Sequence, residues 1–225
     1  MKIGMCMFLW TTHIGPEHAD LLSDIRKTGF DGVEIPVFEG TPADFAAVGR
    51  MLDDLGLERT AVAAIGDPAQ NLIAPDATVR NAGIDHMKWV LECTQALGAD
   101  RISGPLHSTL GYFSGLGPTK EELSHSIESQ REIGAVAAEH GVTVCLEALN
   151  RFECYLVNTM DALADHISAI DHPNIRAMYD TFHANIEEAD PIGALTRNKG
   201  VMHHIHISEN DRGVPGRGNI PWADT

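Results

Sequence analysis

The sequence predicts an α/β fold, a (β/α)8 TIM barrel whose series stops after its seventh strand. Three observations carry that prediction. Short apolar segments alternate with amphipathic helical segments along all 225 residues, with the spacing that a parallel strand and its crossover helix need. No linker or low-complexity tract breaks the series, so residues 1–225 read as one domain. The first strand is not followed by G-x-G-x-x-G, and G-x-x-x-x-G-K-[ST] occurs nowhere, which removes the usual support for a nucleotide-binding open sheet.

The elements follow in order. Residues 2–10 (KIGMCMFLW) form a short apolar first strand, and the lone Lys2 with no small-residue cleavage site after it argues against a signal peptide. Residues 18–29 carry apolar side chains at helical spacing and stop on Gly29. DGVEIPV (31–37) is the second strand. The next helix, 41–56, has Thr41 at its N-cap, Pro42 in the first turn and Gly56 at its end. A third strand (58–65), a long helix (77–98) and a fourth strand (101–106) lead to the glycine-rich loop HSTLGYFSGLGP. Helix 119–141, strand 142–149, helix 158–171, strand 175–182, helix 191–200 and strand 201–208 complete the series.

A formal net charge of −16 argues against a nucleic-acid partner, because phosphate binding needs a surplus of Lys and Arg. The same charge disfavours anionic membranes, and no apolar run approaches the length of a membrane span. The expected location is cytoplasmic. Cys6, Cys93, Cys145 and Cys154 show no C-x-x-C spacing and read as reduced, buried small hydrophobes.

The chemistry concentrates at strand ends, which converge on one face of such a barrel. VTVCLEAL places Glu147 in a strand otherwise built for burial, and a buried carboxylate is costly unless paired, protonated or bound to a metal. A salt bridge to Arg151 is the simplest alternative. Asp180 and His206 follow at intervals of 33 and 26 residues, each about one βα unit, with His204 on the same face as His206. Two carboxylates and an imidazole make an O/N ligand set for a divalent cation, Mn²⁺ first, with Mg²⁺ or Co²⁺ as alternatives. These groups should converge within about 5 Å of one point. Just beyond the same strand ends lie Glu153, His183 and Arg212, which can reach a polyhydroxylated ligand.

The runs LEALNRFECYLVNT, YDTFHANIEEADPIGAL and HIHISENDRGVPGRGNIPW, with GPLHSTLGYFSG at the fourth strand, resemble the D-tagatose/D-allulose (psicose) 3-epimerases, on the L-ribulose 3-epimerase side. That family lies in the xylose isomerase-like barrel superfamily. The resemblance covers essentially the whole chain. It implies that Glu147, Asp180 and His206 bind the metal, that Glu147 is also one of two acid/base groups, and that Glu153, His183 and Arg212 hold the O1–O3 end of a ketose. Trp10, Leu106 and His107 are candidates for the C4–C6 end. It further implies a homodimer or homotetramer, and an eighth strand with a fourth ligand, a glutamate serving as the other acid/base. The sequence ends at GNIPWADT before such a strand, so a barrel cut off after strand seven is expected. Should the second acid/base lie within these residues, Glu34 is the first to test. The rival readings are an aldose–ketose or hydroxypyruvate isomerase on the same barrel, an endonuclease IV-like enzyme that −16 suits poorly, and a non-catalytic sugar-binding protein.

Overall fold

Seven parallel strands run in consecutive order in a computed structural model that describes residues 2–223. They are β1 (Gly4–Cys6), β2 (Gly32–Pro36), β3 (Glu58–Val62), β4 (Arg101–Gly104), β5 (Thr143–Glu147), β6 (Ile175–Asp180) and β7 (Met202–His206). The crossovers are α1 (Ala19–Thr28), α2 (Pro42–Leu55), α3 (Ala77–Leu97), α4 (Lys120–His140) and α5 (Met160–Ile170), with α6 (Thr181–Glu187) and α7 (Pro191–Asn198) together joining β6 to β7.

Local chemistry sets the helix ends. The Thr41 hydroxyl accepts from the Asp44 N–H while the Asp44 carboxylate accepts from the Thr41 N–H, and Thr119 with Glu122 repeats the arrangement at α4. Gly56 and Gly98 close α2 and α3 in the left-handed region that a side chain would resist. Gly104, with φ of +133°, ends β4 where an added Cβ would collide with the Ala63 carbonyl.

Strand alternation divides the sheet into two faces. Val33, Ile35, Ile102, Val144, Leu146, Ala177 and Tyr179 join the helices in one apolar core. Glu34, Ser103, Glu147, Asp180, His204 and His206 take the opposite, interior face by the same alternation. The sheet curls enough for side chains to cross that interior: Glu34 on β2 meets His204 and His206 on β7. Arg101 on β4 likewise donates to the His203 carbonyl at 3.1 Å.

Three details differ from the sequence expectation. The first strand covers only Gly4–Cys6, because Met7–Leu9 winds into a single 3₁₀ turn. The sixth strand ends at Asp180, whose side chain caps a seven-residue helix that the sequence reading did not contain. On β7 the register steps from Ala177↔Met202 to Met178↔His204, so His203 is an extra, bulged residue. The other strands and long helices fall within a few residues of expectation, the strands being shorter. All four cysteines are free. Among the described residues no helix is long and apolar enough to cross a membrane.

Candidate active site

Glu147, Asp180 and His206 are the last residues of β5, β6 and β7, so three adjacent strands deliver them to the same end of the sheet. Glu147, Asp180 and His183 each offer a ligand atom within 4.8 Å of the others. His206 reaches this group from the far side, with Nδ1 3.7 Å from Asp180 Oδ2. Its Nε2 lies 2.7 Å from Glu34 Oε2, and His204 Nε2 lies 2.9 Å from Glu34 Oε1. Both β7 histidines therefore face inward, and Asp180 links His206 to the Glu147 cluster.

Hydrogen bonding separates a ligand from a donor within this cluster. His183 Nδ1 accepts from the Asn150 backbone N–H at 3.0 Å and from the Asn150 amide Nδ2 at 2.9 Å. The amide orientation is fixed because Asn150 Oδ1 accepts from the Phe152 N–H. The remaining nitrogen of His183, Nε2, thus carries the proton and points it at Glu147 Oε1, 3.5 Å away. With no lone pair directed at the cluster, His183 acts as a donor there rather than as a metal ligand.

The electrostatics describe a hole for a cation. Burial pushes the Glu147 carboxyl up to about 8, and the charge of Asp180 beside it pushes the same way. Burial would also raise Asp180, but His206 and His183 beside it hold that carboxyl below its usual value. Asp180 Oδ1 is committed to the N–H of Phe182 at 2.7 Å, leaving Oδ2 toward the cluster. Burial would lower the His206 imidazole, yet the Glu34 carboxylate, with Asp180 and Glu147, raises it well above the ordinary value. Two neighbouring carboxylates, one buried and one partly buried, and an imidazole, with no Lys or Arg bonded to Glu147 or Asp180 among the described residues, fit a hard divalent cation.

A second tier of polar side chains fronts this cluster. Glu153 accepts from Arg212 at 2.9 and 3.1 Å and from Asn150 Nδ2 at 3.0 Å. The Arg212 guanidinium lies 4.2 Å over the Phe182 ring, and the Arg212 backbone sits at φ +59°, uncommon for a residue other than glycine. Glu209 holds the loop in that conformation. Its carboxylate accepts from the N–H groups of Asn210, Gly216 and Ile220 and from the Trp222 indole at 2.8–3.1 Å. Desolvation works to raise the Glu209 carboxyl, and these four donors outweigh it and hold it at about 2. Glu209→Gln is expected to make the loop 209–222 several-fold more susceptible to limited proteolysis, since its amide brings a donor where four donors converge. Peptide mapping by mass spectrometry, with the global melting point near the parent's, checks this.

The remaining expected residues are placed as follows. Trp10 follows β1 and is half exposed. Leu106 and His107 are fully buried, and His107 directs its two ring nitrogens to Ser108 Oγ at 3.0 Å and the Glu147 carbonyl at 2.9 Å. Those bonds brace the backbone of Glu147 from below and leave His107 no ring nitrogen for a sugar. Arg151 is not the partner of Glu147: it forms a bidentate pair with Glu187, with Nη2 2.9 Å from Oε2. Glu34 is the residue whose connections the sequence reading missed. Its partners lie on strands 69 and 172 residues away, and only the odd charge inside VEIP signals it.

Comparison with known proteins fits this arrangement. Residues 22–225 match the model of the xylose isomerase-like TIM barrel family. The D-psicose 3-epimerase of Ruminiclostridium cellulolyticum is 34% identical, with all of this chain and 78% of that protein covered. The L-ribulose 3-epimerase of Mesorhizobium japonicum is 31% identical, with 99% of this chain and 74% of that protein covered. Among solved structures, D-psicose 3-epimerase with D-tagatose from Clostridium cellulolyticum H10 superimposes with a TM-score of 0.89 at 32% identity, over 100% of this chain and 78% of that one. A solved L-ribulose 3-epimerase gives 0.92 at 30%, over 100% of this chain and 75% of that one. By the family match and by its identity to these proteins over its whole length, the chain belongs to the xylose isomerase-like TIM barrel family and stands among its ketose 3-epimerases.

Proposed function

We propose that the chain inverts C3 of a free ketose with the help of a divalent cation, Mn²⁺ first, held by Glu147, Asp180 and His206. The observation that carries this reading is the pair of neighbouring carboxylates, buried Glu147 and partly buried Asp180, fronted by the Glu153–Arg212 pair and by a His183 N–H. The names of the relatives, D-psicose and L-ribulose 3-epimerase, support C3 as the position. A cation held there would supply Lewis-acid polarisation of the ketose carbonyl and would offset the negative charge that develops as the C3 proton leaves.

The side chains supply the rest. Glu147, as carboxylate, takes the C3 proton, and a bound cation would keep it ionised for that task near neutral pH. His183 donates from Nε2 to a sugar oxygen beside Glu147. Arg212 and Glu153 hold the O1–O3 hydroxyls, and the Phe182 face limits the swing of the guanidinium. Trp10 remains the candidate for the C4–C6 end. The resemblance assigns the group that returns a proton on the opposite face to an eighth strand, outside the seven described. We expect a cytoplasmic homodimer or homotetramer, which sedimentation of the purified protein checks.

The test is incubation of a free ketohexose or ketopentose with the protein and Mn²⁺ in D₂O, read by NMR. A product inverted and deuterated at C3 supports the reading. An aldose product would favour the C1–C2 isomerase, and sugar binding without exchange would favour a non-catalytic protein. Arg212→Ala is expected to lower kcat/KM by about 5- to 150-fold, the equivalent of about 1–3 kcal/mol for a charged hydrogen bond to substrate, mostly through KM. Steady-state kinetics on the same ketose checks it. A purely structural Arg212 would instead lower the melting point along with kcat.

A further inference from the structure

Glu34 sits on the interior face of β2, only 4% exposed, and both of its oxygens accept from protein donors. Oε1 accepts from Ser103 Oγ at 2.8 Å, from Thr60 Oγ1 at 3.3 Å and from His204 Nε2 at 2.9 Å. Oε2 accepts from His206 Nε2 at 2.7 Å. A carboxylate so occupied is poorly placed to collect a proton from carbon, so the acid/base role that its charge suggests has no geometric support. Its position relative to His206 supports another role. A carboxylate can only accept, so the Nε2 it faces must carry hydrogen. That leaves Nδ1 as the nitrogen with a lone pair to give, and Nδ1 is the atom turned toward Asp180. The 3.7 Å separation from Asp180 Oδ2 is longer than a hydrogen bond, yet short enough for both atoms to reach one ion at about 2.0–2.2 Å each.

We propose that Glu34 is a positioning residue: by accepting from His206 Nε2 it fixes the imidazole's tautomer and tilt so that Nδ1 is presented to the cation. This rests on the metal reading above and adds the residue that orients the β7 ligand. Ser103, Thr60 and His204 complete the device by anchoring Oε1, so that the Glu34 carboxylate cannot rotate away. Such carboxylate–histidine–metal relays stabilise the ligand and raise its basicity.

The experiment measures Mn²⁺ binding to the purified protein by isothermal titration, with no sugar and no turnover. Glu34→Gln should weaken Mn²⁺ by about 10–100-fold, because the amide still accepts at its oxygen but carries no charge. Asp180→Ala serves as the ligand control and should weaken it further. If Asp180→Ala lowers the affinity and Glu34→Gln does not, the role of Glu34 is overturned while the metal reading stands. If Asp180→Ala, Glu147→Gln and the parent all bind alike, or none binds, the metal reading falls and this inference with it. Should Glu34→Gln fail to fold, ¹⁵N NMR of the parent loaded with Zn²⁺ decides. His206 is expected to show a protonated Nε2 and a liganded Nδ1, and the reverse assignment overturns the proposal.

Discussion

Glu147→Gln is expected to lower the C3 epimerisation rate by about 10²–10⁴-fold, the usual worth of a positioned general base. The substitution keeps shape and volume and removes the carboxylate, and with it an oxygen that can take a proton and the charge that holds the cation. Its stability signature separates this from simple damage. In the metal-free protein, an ionised Glu147 is buried beside Asp180, which is why its proton is held up to about 8. A neutral amide avoids that repulsion and keeps an oxygen facing His183 Nε2. The metal-free variant should therefore melt at the same temperature as the parent or higher at pH 8, as expected where function is built on local strain. Initial rates with Mn²⁺ and melting curves on the same preparations check both halves. Activity within a few-fold of the parent would remove Glu147 from the chemistry, and a large drop in melting point would make its role structural.

The strand–helix series was legible because parallel strands buried on both faces and capped amphipathic helices leave strong local signals. Thr41, Pro42 and Gly56, for instance, mark α2 almost to the residue. What lay beyond local signal was missed. The helix after Asp180 has only seven residues, too few for an apolar period to show, and its start depends on the Asp180 cap rather than on its own sequence. The first strand breaks off at Cys6 although MFLW continues the apolar run, because Met7–Leu9 turns over its end. The strand-end residues of the site could be picked out as charged groups in apolar strands spaced one unit apart. Their relations could not. The tautomer of His183 depends on Asn150, the partner of Arg151 is a residue on α6, and Glu34 meets His206 only through the curl of the sheet. Such pairings are tertiary, and a single sequence records only the residues that take part in them.

The metal-free protein is expected to be most stable near pH 6.5 and to lose stability as the pH rises to 8, with a divalent cation reversing that loss. Glu147 holds its proton up to about 8 in the fold, whereas in the unfolded chain it releases it near the ordinary carboxylate value. The folded state therefore binds more protons over this interval, and stability falls as pH rises through it, by at most about 1.4 kcal/mol per pH unit for one group. His206 acts in the same direction: its folded value lies well above 6.5, so its contribution is full below 6.5 and is lost as the pH climbs toward that value. The opposing groups work elsewhere. Burial holds His107 and His166 neutral down to about 4, so their unfolded forms take up protons below 6.5 and stability rises with pH only up to that point. Glu34, Asp180 and Glu209 have lowered values and matter only at more acidic pH. The interval from pH 6.5 to 8 thus isolates the proposed metal ligands. A cation must displace the Glu147 proton and the one on His206 Nδ1, so its affinity rises with pH and the stabilisation it gives rises too. Differential scanning calorimetry of chelator-treated and Mn²⁺-loaded protein at pH 6.5 and 8 reads both effects. The expected result is a falling melting point without metal and a Mn²⁺-induced increase that is larger at pH 8 than at 6.5. A metal-free melting point that rises across the interval, with a Mn²⁺ effect independent of pH, would show that Glu147 and His206 do not give up protons to a shared ion.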